Sequence, residues 1–234
     1  MAERTPDPWR FQLHMEIARL AGKDTARRVA PCEGPESVSS EEENVAWTIH
    51  AMKGMETYLK EEESISVLHN CSHTLPEARI VELRDHFRKN RDIRSLHQLW
   101  QRRFLENLEA RWGPLPDEWA RTVIDEGWGE AGRIDGKRII AAKVPQDLPG
   151  WFHAKTVEEK RHAYCHCSRI KQVFLMNGEK IPAVYCNCGG GFYRSNWERV
   201  LGVPVKVTVR STIMKGDPSC SFIITLPEGV WSKD

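Results

Sequence analysis

Two short cysteine motifs carry the most chemistry in this chain. Cys165-His166-Cys167 and Cys186-Asn187-Cys188 each follow a tyrosine, Tyr164 and Tyr185, and are separated by residues 168–185. Four thiolates are soft ligands, suited to zinc and less so here to an iron–sulfur cluster. Alternate side chains of an extended segment point to opposite faces, so each Cys-X-Cys pair would chelate only through a bent loop. The metal set read from this pattern is Cys165, Cys167, Cys186 and Cys188. The same residues admit a second chemistry, in which one thiolate is a nucleophile activated by a helix N-terminus or by a neighbouring imidazole. Cys188 is best placed for that role and His166 for moving protons.

Gly189-Gly190-Gly191 follows directly and approaches a helix expected from Phe192 to Leu201. Free backbone N–H groups at the positive end of a helix dipole hold anions, so Gly189, Gly190, Gly191 and the adjacent Tyr193 are the expected contacts of a substrate carboxylate. The run lacks the spacing of a nucleotide-binding fingerprint. Cys220 alternates with Phe222 and Ile224 and reads as a core position. Asn70-Cys71-Ser72-His73, at a break between helices, could add ligands, and Cys32 has no evident role.

Whole-chain properties bound the function. The 234 residues carry 34 basic and 33 acidic side chains, a net charge of +1 that gives no field for a phosphate backbone, so no nucleic-acid partner is expected. No apolar run approaches the ~20 residues of a membrane span, and the charged, proline-containing start is unlike an export signal. A cytoplasmic protein in a reducing compartment follows, and its seven cysteines then read as ligands or nucleophiles rather than disulfides. The expected partner is a small molecule. A homodimer is compatible with the sequence, and the nine tryptophans read as packing residues.

The elements that must position these groups fall into two kinds. Trp9, Leu13, Ile17 and Leu20 form a helical stripe within 8–21, followed by a polar linker to Ser40. Ser40 and Glu43 make a capping-box pattern ahead of a helix from Glu42 to Leu59. Further helical stripes run through Ile80, Leu83 and Phe87, then through Leu96, Trp100, Phe104 and Leu108, with a short helix after Asp117. After Gly136 the period changes to that of a strand over Lys137 to Val144, and no helical period returns before Gly191. Val203 to Ile213 and Cys220 to Leu226 alternate as a hairpin about Lys215-Gly216-Asp217-Pro218. The expected fold is α+β, a helical N-terminal half packed with a C-terminal twisted antiparallel sheet of about four strands. The expected divisions are an N-terminal helix and linker (1–40), a helical region (41–135) and a cysteine-rich α+β domain (136–234).

The string Tyr164 to Cys167, then Tyr185 to Tyr193, then the strand Val203 to Ile213 with Gly216-Asp217-Pro218-Ser219-Cys220-Ser221-Phe222, resembles the L-2-amino-thiazoline-4-carboxylic acid hydrolase-like family, itself related to vinyl-reductase-type small-molecule-binding domains. The resemblance covers about residues 160–228. It implies a twisted antiparallel sheet with packed helices, a buried small-molecule pocket, and hydrolysis of a C–N bond in a small carboxylate-bearing heterocycle. It implies alternatively a non-catalytic binding or sensor module with a cysteine-bound zinc. Cys220 matches the last cysteine of the sensor zinc site, whereas Val209 and Thr212 stand where a glutamate and another cysteine are expected.

Overall fold

The computed structural model describes residues 5–34, 38–167 and 181–231. The first helix, α1 (Pro8–Ala21), starts on a proline and buries Leu13 and Ile17, as its stripe requires. The segment expected to be a linker is partly helical, with α2 spanning Lys23–Val29. Its end is held by polar contacts: the Trp47 indole N–H donates to the Pro31 carbonyl at 2.7 Å and His14 Nδ1–H to that of Ala30 at 2.8 Å. Residues 35–37 of that expected linker lie outside the described residues.

The capping box forms as read: the Ser40 hydroxyl accepts from the Glu43 N–H at 3.2 Å while the Glu43 carboxylate accepts from the Ser40 N–H at 2.8 Å, opening α3 (Glu41–Tyr58). Then come α4 (Glu61–Asn70), α5 (Glu77–Asn90), α6 (Ile93–Trp112) and α7 (Asp117–Asp125). Two very short strands, β1 (Thr5–Pro6) and β2 (Val38–Ser39), pair antiparallel beside them.

The main sheet has four antiparallel strands, β3 (Arg133–Asp135), β4 (Arg138–Ala142), β5 (Lys206–Ser211) and β6 (Ser221–Thr225), in the order β3-β4-β6-β5. The fold is α+β. Val207 faces Ile224 and Val209 faces Phe222 across the expected hairpin, with a bulge between Val209 and Ser211. The strand stops there rather than at Ile213: the Thr212 hydroxyl accepts from the Met214 N–H and opens a single 3-10 turn, Ile213–Lys215. That bulge turns residues 212–214 away from the ladder.

The stretch expected to lack helical period contains α8 (Leu148–His153) and α9 (Val157–Tyr164). Both are short, and α9 buries only Ala163 and Tyr164, so neither has an apolar stripe to read. A capping box of Thr156 and Glu159 starts α9. The last helix, α10 (Asn187–Leu201), begins before the glycine run and ends at Gly202 in the left-handed conformation, φ 73°. It packs on α4 and α5 on one side and on β5 and β6 on the other. One hydrophobic core thus includes Leu13 and Ile17, Ile80 and Leu83, Trp197, Phe222 and Ile224. Trp100 and Trp197 meet in it with ring centroids 4.7 Å apart. No helix among the described residues is long and apolar enough to cross a membrane.

Candidate functional site

Six of the seven cysteines line one cavity of about 440 Å³. Cys71 closes the C-terminus of α4, where its N–H donates to the Val67 carbonyl. Cys165, His166 and Cys167 follow α9 directly. Cys186 ends a 3-10 turn and is the N-cap of α10, whose first turn holds Cys188 and Gly189. Cys220 leads into β6. Trp9 and Gln12 of α1, Tyr164, Tyr185, Ile213, Met214 and Phe222 complete much of the wall. The four cysteines of the two Cys-X-Cys pairs, with His166, are therefore brought to one place, together with Cys71, His73 and Cys220.

Electrostatically the cavity favours anions. Among the described residues that line it, none is Asp or Glu, and Lys143 is the one permanently charged side chain. Lys143 follows β4 and is anchored by its N–H, which donates to the Cys220 carbonyl at 3.1 Å. Its charge acts on Cys165, Cys186, Cys220, His73 and His166 alike, which places it amid the thiols.

The thiols are not equivalent. Burial pushes Cys71 far above the ordinary thiol range and pushes Cys165 up to about 12. The Cys186 and Cys220 thiols are hydrogen-bonded to each other, and the Thr212 Oγ1 stands 2.8 Å from Cys186 Sγ and 3.8 Å from Cys220 Sγ. That contact, with an amide from Ile213 and the field of Lys143, lowers Cys220 to about 6 against its burial, and it drives Cys186 up. The two thiols titrate as a pair, and the bond from Cys186 shifts the charge of that pair toward Cys220. The Tyr164 hydroxyl fixes it from behind, accepting from the Cys220 N–H at 2.9 Å and donating to the Cys220 carbonyl at 3.2 Å. Cys167 Sγ lies 2.9 Å from the Tyr185 hydroxyl, and Cys165 Sγ contacts the Cys167 carbonyl.

The His166 Nε2–H donates to the Val144 carbonyl, which leaves Nδ1 as the free acceptor. The residue is exposed to solvent on one side, and the partial loss of water on the cavity side lowers its pKa below the ordinary histidine range despite that bond. Desolvation likewise lowers His73, whose ring stacks against Phe192 at 4.9 Å.

The glycine run lies inside α10 rather than in a turn before it. A Cβ on Gly191 would collide with the His69 backbone, one on Gly190 would sit 2.7 Å from His69 Nε2, and one on Gly189 would sit 2.7 Å from Phe222 Cζ and 3.1 Å from Lys143 Cε. These glycines let α10 approach α4 and β6, and of the three only Gly189 lines the cavity. Tyr193 is fully buried, packed on Phe222 at 4.8 Å, outside the lining.

Cys165, Cys167, Cys186 and Cys188, the expected zinc ligands, all line this one cavity. Among the described residues no three His, Cys, Asp or Glu side chains gather as one metal ion requires, and the hydrogen bonds above direct the thiols to different partners. No protein-family model, curated protein or solved structure matches the chain.

Sequence reasoning missed Lys143; Cys220 is buried in the core as its alternation implied, and it lines the cavity as well. Position 212 carried a signal: the resemblance expects a cysteine there, and the Thr212 hydroxyl occupies the space between Cys186 and Cys220.

Proposed function

We propose that the cavity binds a small, carboxylate-bearing heterocycle and hydrolyses a C–N bond in it, with Cys220 as the nucleophile. The observation that carries this reading is a cavity of about 440 Å³ lined by six cysteines and Lys143, whose described lining holds no carboxylate and in which Lys143 is bonded through its N–H to the Cys220 carbonyl. Lys143 pairs with the substrate carboxylate and orients it. The Cys220 thiolate adds to the electrophilic carbon of the ring C=N–type centre, the C–N bond breaks, and the departing nitrogen takes a proton from water. Water then adds to the carbon–sulfur intermediate, His166 Nδ1 accepts its proton, and the thiolate leaves. Tyr164 holds the Cys220 backbone throughout. The resemblance to the thiazoline hydrolases supports the substrate class.

A panel of cyclic amidine and thiazoline carboxylates, followed by mass spectrometry, tests this. Turnover of one member, lost in Cys220→Ser and raised at least tenfold in KM by Lys143→Met, is expected, with Cys32→Ser unchanged. The second reading is a non-catalytic binding module, favoured by the apolar wall of Trp9, Ile213, Met214 and Phe222. Saturable binding without turnover would select it.

A further inference from the structure

Two of the cavity thiols are placed as a pair by one hydroxyl. Cys186 and Cys220 come from different elements, the N-cap of α10 and the lead into β6, yet the Thr212 hydroxyl lies 2.8 Å from one sulfur and 3.8 Å from the other. Of the other wall thiols, Cys165 meets the Cys167 carbonyl and Cys167 the Tyr185 hydroxyl. Both members of the pair line the cavity, so a molecule bound there meets them together.

We propose that Cys186 and Cys220 are a dithiol–disulfide couple that exchanges with compact, uncharged or anionic low-molecular-weight disulfides entering the cavity. One thiolate of the pair attacks a sulfur of the small disulfide; its S–S bond breaks, a mixed disulfide forms, and the first small thiolate leaves. The second cysteine attacks the protein sulfur of that mixed disulfide, closes the Cys186–Cys220 bond and expels the other small thiol, which carries away the proton. The protein pair is oxidised by two electrons and the small disulfide is reduced to two thiols. The cavity volume of about 440 Å³ selects a disulfide with short arms, and Lys143 selects against a cationic one. Closure also engages the sulfur assigned above to hydrolysis, so the oxidised chain is switched off in that reaction. The couple itself does not depend on the hydrolase reading.

The test uses the full chain, incubated with bis(2-hydroxyethyl) disulfide across a range of thiol–disulfide ratios, quenched by alkylation under denaturing conditions and mapped by mass spectrometry. The expected result is loss of two alkylatable thiols per chain and one cross-linked peptide pair containing Cys186 and Cys220, reversed by dithiothreitol. Cys186→Ser and Cys220→Ser each stop at a stable mixed disulfide on the remaining partner or do not react, and neither yields the cross-link. Cys71→Ser retains it. A full complement of alkylatable thiols at every ratio, or a cross-link joining any other pair in the wild-type chain, overturns the proposal. Because the readout is a peptide map, it stands whether or not any heterocycle is turned over.

Discussion

The lowered pKa of Cys220 should be visible in the pH profile of its alkylation. With a pKa of about 6, rather than the ordinary 9.0, Cys220 is ~90% thiolate at pH 7 where an unperturbed thiol is ~1%, a ~90-fold difference in reactive species. Lower basicity offsets part of that. With a Brønsted slope of ~0.4–0.5 over three units, each Cys220 thiolate is ~15–30-fold less nucleophilic, which leaves a net advantage of only ~3–6-fold at pH 7. The shape of the profile is therefore more informative than the rate. Iodoacetamide labelling, quantified at each cysteine by mass spectrometry from pH 5 to 10, should show Cys220 rising through an inflection near 6 and flat above 7, while Cys165 is still rising at pH 10. Cys186→Ser should move the Cys220 inflection upward, since the bond from Cys186 is the largest cause of the shift. An inflection of wild-type Cys220 at or above 8.5 would refute both the assignment and the nucleophile built on it.

Four further outcomes follow. Gly191→Ala gains ~1 kcal/mol of helix propensity but forces a methyl onto the His69 backbone, which cannot swing aside, at ~1–3 kcal/mol or more; a thermal midpoint lowered by several degrees is expected, and no change would contradict the close approach of α10 to α4. Tyr164→Phe leaves the buried Cys220 N–H without its acceptor and should cost ~1–3 kcal/mol in denaturant unfolding. His69 is buried with its pKa lowered to about 4, so the unfolded chain binds more protons between pH 4 and 6.5; stability is full above 6.5, falls as the pH drops through that window, and the fall should be shallower in His69→Gln. Elemental analysis after purification without added metal should find less than one zinc per chain; one zinc with Cys165, Cys167, Cys186 and Cys188 shielded from alkylation would contradict the arrangement of thiols described here.

The α+β class, the long helices and the final hairpin were legible because each has an apolar period: Leu13 with Ile17, Leu96 with Trp100 and Phe104, Val207 with Val209. The shorter helices α2, α4, α8 and α9 were not: α2 lies in a stretch that reads as a polar linker, α4 opens on a run of three glutamates, α8 is short with a proline and a glycine, and α9 is almost wholly polar. The glycine run was read as a loop because glycine is a poor helix former, and only tertiary packing on His69 and Phe222 explains three in succession within α10. The gathering of both Cys-X-Cys pairs about one site was legible from their repetition. The place of Cys220 in the cavity wall was not, because alternation along β6 places it with core residues and says nothing of the bulge that delivers Thr212 and Ile213 to its sulfur.

The cavity wall draws on α1, on the end of α4, and on β6 near the other end of the chain. During synthesis, Trp9, Gln12 and Cys71 are made long before Cys220 and Phe222, and residues 187–201 cannot settle against β6 until that strand exists. Of the wall thiols, Cys71 alone is made early, and it waits for its neighbours while the rest of the wall is synthesised. Yield of correctly assembled protein should therefore rise with the reducing power of the surroundings during folding, and Cys71→Ser should lessen that dependence.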